Sequence, residues 1–198
     1  MSIKVFIYIY IRIPQKSRWK FLSFCDMIET TNKILCGELL MFREIARKKQ
    51  VLTSEQIIRI LKSEKRGVLS VCGDNGYPYG LPINFWYNEE NGNIYFHSGK
   101  KGHKNDAISS DNKVSFCVYD EGYRKDGEWA LNISSVIVFG RMHIVEDAEK
   151  AVEIYRKLSL KFTSDIDYID SEIKKFAKDT VCYELQPEHI TGKIVNES

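Results

Sequence analysis

Two apolar, β-prone runs, Val68 to Cys72 and Tyr79 to Tyr87, are separated by a polar stretch that contains Asp74-Asn75-Gly76. Asn-Gly tolerates the positive φ of a tight turn, and between such runs it predicts a β-hairpin. This region is thereby committed to antiparallel β structure. Pro78 and Pro82 limit the returning strand further, because each removes a ladder donor. That strand has to be an edge strand or a bulged one, with backbone left to face a ligand.

The flanking residues extend the pattern. Thr53-Ser54-Glu55-Gln56 has capping-box spacing, and Ile57, Ile58, Ile60 and Leu61 supply an apolar helical stripe that ends before Gly67. Asn88 to Asn93 is a second polar turn, followed by a strand at Ile94 to His97 and a short helix from about Asn105 to Ser110. Lys113 to Tyr119 and Leu131 to Val145 read as further strands. Asp147 can cap a helix that places Ala148, Ala151, Val152, Tyr155, Leu158 and Phe162 on one face. A helix near Asp170 to Lys178 and a last strand, Thr180 to Leu185, complete the pattern. Hairpin-linked strands with peripheral helices predict a mainly β, α+β chain built on an antiparallel barrel.

The chain has 198 residues and a net charge of +2, which suits one domain with an appendage. Residues 1–40 hold six Lys/Arg and three acids, so residues 41–198 carry 23 basic and 24 acidic residues, a net −1. The basic excess therefore belongs to the first forty residues. Met1 to Ile13 is apolar and β-branched, but the seven apolar residues between Lys4 and Arg12 fall short of the roughly 20 that span a bilayer. No small-residue cleavage site follows, since Pro14 to Lys20 is basic and polar. Cys36-Gly37-Glu38-Leu39-Leu40 precedes Met41, and Gly-Glu is encoded by purine-rich codons resembling a ribosome-binding site. Residues 1–40 are accordingly expected to be an extension, either untranslated or disordered, ahead of a domain at 41–198. Mass spectrometry of protein expressed from its native upstream DNA distinguishes a start at Met41 from one at Met1.

Five cysteines without C-x-x-C or Cys/His spacing predict neither a disulfide framework nor a zinc site, and suit a reducing cytoplasm. Cys72 and Cys117 lie in apolar runs and read as small buried hydrophobes. No histidine pair has metal-binding spacing, so no metal is expected. The most informative segment is His97 to Lys104. It leaves a strand, contains Gly99 and Gly102, displays Lys100, Lys101 and Lys104, and enters a helix N-terminus that favours an anion. It reads equally as a phosphate-binding loop or as a plain exposed basic loop. The spacing of a Walker A motif is absent. Pro82-Ile83-Asn84 is a second candidate, able to offer backbone groups and an amide to a planar heterocycle; a barrel strand with its aromatics in the core is the competing reading. Ser134 and Ser135 are a third, and serines at a strand start are commonly without a role. His97 is the histidine best placed for a function, and His103 could add charge to the loop.

Taken in order, several segments resemble the split-barrel flavoproteins of the pyridoxamine 5'-phosphate oxidase-like superfamily, closest to the 5-nitroimidazole resistance (Nim) group. The likeness is carried by Gly76-Tyr77-Pro78-Tyr79-Gly80-Leu81-Pro82-Ile83-Asn84-Phe85, Ile94-Tyr95-Phe96-His97-Ser98 and Gly102-His103-Lys104. Asn112 to Phe116, Ser134 to Arg141 and Ile190-Thr191-Gly192-Lys193 continue it. The resemblance implies an FMN-binding split β-barrel and a homodimer with cofactor at the subunit interface. The isoalloxazine would lie along Pro82, Ile83 and Asn84, and the phosphate near His97, Ser98, Lys101 and Lys104, with Ser135 and Val136 close by. His97 would serve at the reactive site. The usual Gly-Arg-Lys of the loop is Gly102-His103-Lys104 here, so one permanent charge is replaced by a titratable one.

The leading expectation is thus a cytoplasmic FMN-dependent oxidoreductase that takes electrons from a donor and reduces electron-poor small molecules, nitroimidazoles among them. A non-catalytic flavin- or haem-binding module of the same fold is the alternative. Nucleic-acid binding ranks well behind, because a domain at −1 lacks the necessary basic face, and no membrane partner is expected.

Overall fold

The computed structural model describes residues 42–196, so the 1–40 extension and the expected start at Met41 lie outside the described residues. The hairpin forms as its residues require. β1 (Arg66–Cys72) and β2 (Pro78–Asn84) pair antiparallel around a five-residue connection in which Asn75 and Gly76 have φ of 57° and 78°. β2 is an edge strand, one of the two outcomes its prolines allow.

The continuous strand expected from Tyr79 to Tyr87 is instead broken at Phe85. β2 ends at Asn84, and Trp86–Tyr87 form a separate short strand, β3, paired with β4 (Ile94–Gly99). With β5 (Lys113–Tyr119), β6 (Asn132–Ile144) and β7 (Thr180–Asn196), the sheet runs β2-β1-β5-β6-β7-β4-β3. Its two ends, β2 and β3, are joined by the single residue Phe85, so the sheet has to curl until those ends meet. The result is an antiparallel split barrel. Phe85 is fully buried and packs edge-on against Phe116, which meets Phe96 in the same way, each at 5.0 Å between ring centres. Such pairs contribute about 1 kcal/mol beyond their burial.

β7 is much longer than the expected Thr180 to Leu185. Its first part pairs with β4, and its remainder follows β6 to Asn196. Pro187 sits at a bulge opposite Gly140, where ladder pairing is interrupted.

Among the described residues four α-helices surround the barrel: α1 (Ser54–Ser63), α2 (His103–Ser110), α3 (Ala148–Ser159) and α4 (Ile166–Phe176). α1 starts in a complete capping box, with Gln56 N–H donating to Thr53 Oγ1 at 3.3 Å and Thr53 N–H to Gln56 Oε1 at 2.8 Å. Thr53→Ala is expected to cost about 1 kcal/mol and to lower the thermal midpoint by about 2–4 °C; an unchanged melting curve would show that packing of Ile60 and Leu61 alone holds α1. Asp147 caps α3 by accepting from Glu149 and Lys150 N–H. α3 buries Ala151, Ile154, Tyr155 and Leu158, but it stops at Ser159 and leaves Phe162 at 40% exposure. α4 begins four residues before expectation because Asp165 supplies its cap, accepting from Tyr168 N–H at 2.9 Å.

The main core lies inside the barrel, and a second cluster, Tyr95, Ala151, Ile154, Tyr155 and Cys182, lies between sheet and α3. Cys72 is not buried as expected: alternation along β1 places it outward and exposed. Among the described residues no helix is long and apolar enough to cross a membrane.

Candidate functional site

The curl brings β2 against β4. Arg66, Pro82, Ile83, Asn84 and His97 line one cleft of about 380 Å³ between them. Phe85 N–H donates to Lys65 C=O at 3.3 Å, and Gly73 N–H to Tyr77 C=O at 2.8 Å. Because bonded and non-bonded pairs alternate along an antiparallel ladder, residues 78, 80, 82 and 84 direct their main-chain groups away from β1. Pro78 and Pro82 occupy two of these four positions, where a missing N–H breaks no ladder bond. Among the described residues the outer edge of β2 is unpaired. It offers the carbonyl of Pro82 and both the N–H and the carbonyl of Asn84. The Asn84 side chain is committed, its Oδ1 accepting from Arg66 Nε at 2.9 Å. Behind the break, Lys161 Nζ lies 4.2 Å from the centre of the Phe85 ring and donates to Glu64 C=O. Burial pulls this lysine down to about 8.

His97 and Ser98 follow one another on β4 and face opposite sides of it. The His97 ring meets Tyr155 of α3 edge-on at 6.3 Å. His97 is exposed, yet enough protein surrounds its imidazole for desolvation to lower its pKa, and the charge of Lys104 lowers it further. Both effects favour the neutral ring. Ser98 faces the barrel and accepts from Lys104 Nζ, which also donates to Asn105 Oδ1 at 3.0 Å and lies 5.2 Å from the Tyr183 ring centre. Asn105 is buried, and its Nδ2 donates to Gly99 C=O at 2.7 Å, closing the loop on itself. The positive φ of Gly102, 125°, turns the chain into α2. Among the described residues the hydrogen-bond partners of Lys104 are thus neutral oxygens, and desolvation lowers its pKa.

Of the residues anticipated from sequence, Pro82, Ile83, Asn84 and His97 meet in the cleft, and Ser98 and Lys104 meet on the loop. Lys101 is exposed on that loop. His103 turns to the hairpin instead: it stacks on Tyr79 at 4.3 Å, with Nε2 3.4 Å from Asp74 Oδ2. Ser135 and Val136 are not brought to the cleft. Ser135 pairs with Lys193, whereas His97 pairs with Cys182, eleven residues earlier on β7. Val136 is fully buried, leaving only its main chain to offer. Burial pushes the Cys182 thiol up to about 12, so it stays protonated and unreactive. Arg66 and Asn105 escaped the sequence reading. The only signal for Asn105 is a polar residue at a position that buries on α2, and Arg66 has none without the register of β1 on β2.

Residues 53–194 match the pyridoxamine 5'-phosphate oxidase family. The chain belongs to that family. Solved structures share its fold. A Bacteroides thetaiotaomicron protein provisionally described as a 5-nitroimidazole antibiotic resistance protein is 19% identical, with a TM-score of 0.62 over 74% of this chain and 87% of that one. A FAD-binding protein from Mesorhizobium loti is 19% identical, with a TM-score of 0.53 over 74% and 97%. The flavocytochrome Anf3 from Azotobacter vinelandii is 17% identical, with a TM-score of 0.57 over 77% and 72%. No curated protein matches the chain. At these identities the structural likeness is one of fold, and within the oxidase family the chemistry of this member has to be argued from its own cleft.

Proposed function

We propose that this member of the family is a cytoplasmic FMN-dependent oxidoreductase that acts as a homodimer and reduces electron-poor small molecules, including nitroaromatics of the nitroimidazole type. The observation that carries the reading is Lys104, a half-buried cation hydrogen-bonded to neutral oxygens beside an unpaired strand edge. Desolvating a cation is unfavourable unless an anion compensates it, and a phosphate at the Lys104–Ser98 loop does so. The edge of β2 supplies the other half of the fit. Its carbonyl, N–H and carbonyl sequence at Pro82 and Asn84 complements a planar heterocycle that carries both donors and acceptors. The names of the M. loti and A. vinelandii proteins support a flavin as that heterocycle, and that of the B. thetaiotaomicron protein supports a nitroimidazole as electron acceptor.

A bound flavin supplies reversible electron transfer; the chain supplies position and polarity. Lys104, Ser98 and the loop amides hold the phosphate, while Pro82, Ile83 and Asn84 set the plane and polarity of the ring. His97 offers a ring N–H at the cleft, where a substrate oxygen can accept a hydrogen bond. Two features support a dimer. Tyr119 and Phe139 are exposed on the outer barrel face at 58% and 37%. Ser135 and Val136, on β6, pair with Lys193 and Gly192, far along β7 from the partner of His97, so a second copy is the natural means of bringing them to the cleft.

Purified protein is expected to be yellow and to release FMN on denaturation, identified by chromatography against FAD and riboflavin. Turnover of a nitroimidazole with a reduced nicotinamide or ferredoxin donor distinguishes an enzyme from a binding module. A colourless protein that cannot be reconstituted with any flavin defeats the reading. His97→Ala should retain flavin and lose most turnover; unchanged rates would remove His97 from the reaction.

A further inference from the structure

We infer that Arg66 and Asn84 form one donor unit that recognises the acceptor edge of the planar cofactor, with Arg66 a positioning residue acting through Asn84. This deepens the flavin reading and rests on it. Arg66 and Asn84 are directly opposed across β1 and β2. The flanking pair, Lys65 and Phe85, is the bonded one, so Arg66 and Asn84 form a non-bonded pair, the position at which opposed side chains approach most closely.

A guanidinium has donors only, so the amide atom that meets Nε at 2.9 Å is necessarily the oxygen of Asn84. That assignment turns the amide NH₂ away from Arg66. An unrestrained asparagine can present either its carbonyl or its NH₂, but this one presents donors. Arg66 itself belongs to the lining of the same cleft, which contains no carboxylate. The Asn84 side chain therefore offers donors at the cleft. It selects a ring edge of carbonyl oxygens and unprotonated nitrogens. A residue that merely stapled β1 to β2 would not need to enter the cleft.

The test titrates apoprotein with FMN and, separately, with riboflavin, following flavin fluorescence. Riboflavin reads the ring without the phosphate loop. Arg66→Met and Asn84→Ala are each expected to weaken both ligands about tenfold, in keeping with loss of one charged hydrogen bond. The double variant should be no weaker than Asn84→Ala alone. Arg66→Lys, which keeps the charge without the planar fork, should recover part of the affinity. The visible band of bound flavin should shift in Arg66→Met and Asn84→Ala alike. If the two losses multiply in the double variant, or if Arg66→Met binds riboflavin as the parent does, the positioning role is overturned while the flavin reading survives. A parent protein that binds neither ligand overturns both.

Discussion

Lys104→Met is expected to weaken FMN binding by about 10- to 100-fold, from the loss of a charge-assisted contact to phosphate, while riboflavin affinity changes little. The difference between the two ligands is the diagnostic quantity, because only FMN reaches the Ser98–Lys104 loop with a charge. Lys104 is held firmly in place. Ser98 and Asn105 fix its amine, Asn105 is itself fixed by Gly99 C=O, and desolvation holds its pKa below the ordinary lysine value. The sign of the pH dependence follows. The free protein loses the Lys104 charge at a lower pH than an ordinary lysine would, so FMN affinity should decline as pH rises through that depressed value. At the acid end, affinity should rise as the phosphate takes its second charge near pH 6. Isothermal titration over this range should show a maximum between the two limits for FMN and none for riboflavin. Equal losses of both ligands in Lys104→Met would mean that the lysine supports the fold of the loop and holds no phosphate.

Gly140→Ala should be among the most destabilising single substitutions in the barrel. A Cβ at Gly140 would lie 2.2 Å from Gln186 O and 2.9 Å from Leu185 Cδ1. The first of these is main chain of β7 at the bulge and cannot move without breaking its pairing with β6. Overpacking of this kind costs about 3 kcal/mol, or roughly 6–12 °C in thermal midpoint for a chain of this size. Gly80→Ala is the matched control, since the nearest atoms to its Cβ are at 3.5 and 3.6 Å, ordinary contact distances. Similar melting curves for the two variants would show that the bulge relaxes. If Gly140→Ala folds but melts low, it should also lose flavin on warming, because the same strand continues to β4 and carries the partners of His97 and Ser98.

Much of the barrel was legible because its signals are local. The Asn-Gly turn, the capping box at Thr53, the cap at Asp147 and the alternation in Lys113 to Tyr119 each depend on a few adjacent residues. The errors came where a distant contact outweighed a local pattern. Trp86 and Tyr87 continue the β-prone run of β2, but Phe85 turns inward to fill the barrel and sends them to β4. The last strand reads as Thr180 to Leu185, yet a bulge opposite Gly140 accommodates Pro187 and β7 continues to Asn196. Cys72 reads as core from the run before it, although alternation along β1 faces it outward. The site shows the same division. The Lys100 to Lys104 loop and the Pro82 to Asn84 edge are short motifs visible in the chain. Ser135 and Val136 lie apart from them in one copy, and their place at a cofactor belongs to the proposed dimer.

From sequence alone follow the antiparallel hairpin, a second strand that has to be an edge or a bulged one, the starts of α1 and α3 and a glycine-lysine loop at the entry to α2. Each depends on turn chemistry, a missing N–H, a cap or a period, all confined to a few neighbouring residues. The tertiary structure decided what those parts face. The single-residue link at Phe85 forces the sheet to close, and closure sets the β2 edge opposite His97. The register of β1 on β2 sets Arg66, 18 residues away in sequence, against Asn84. Such contacts arise from burying Phe85, Phe96 and Phe116 together in one core, a requirement of the whole barrel that no short segment records.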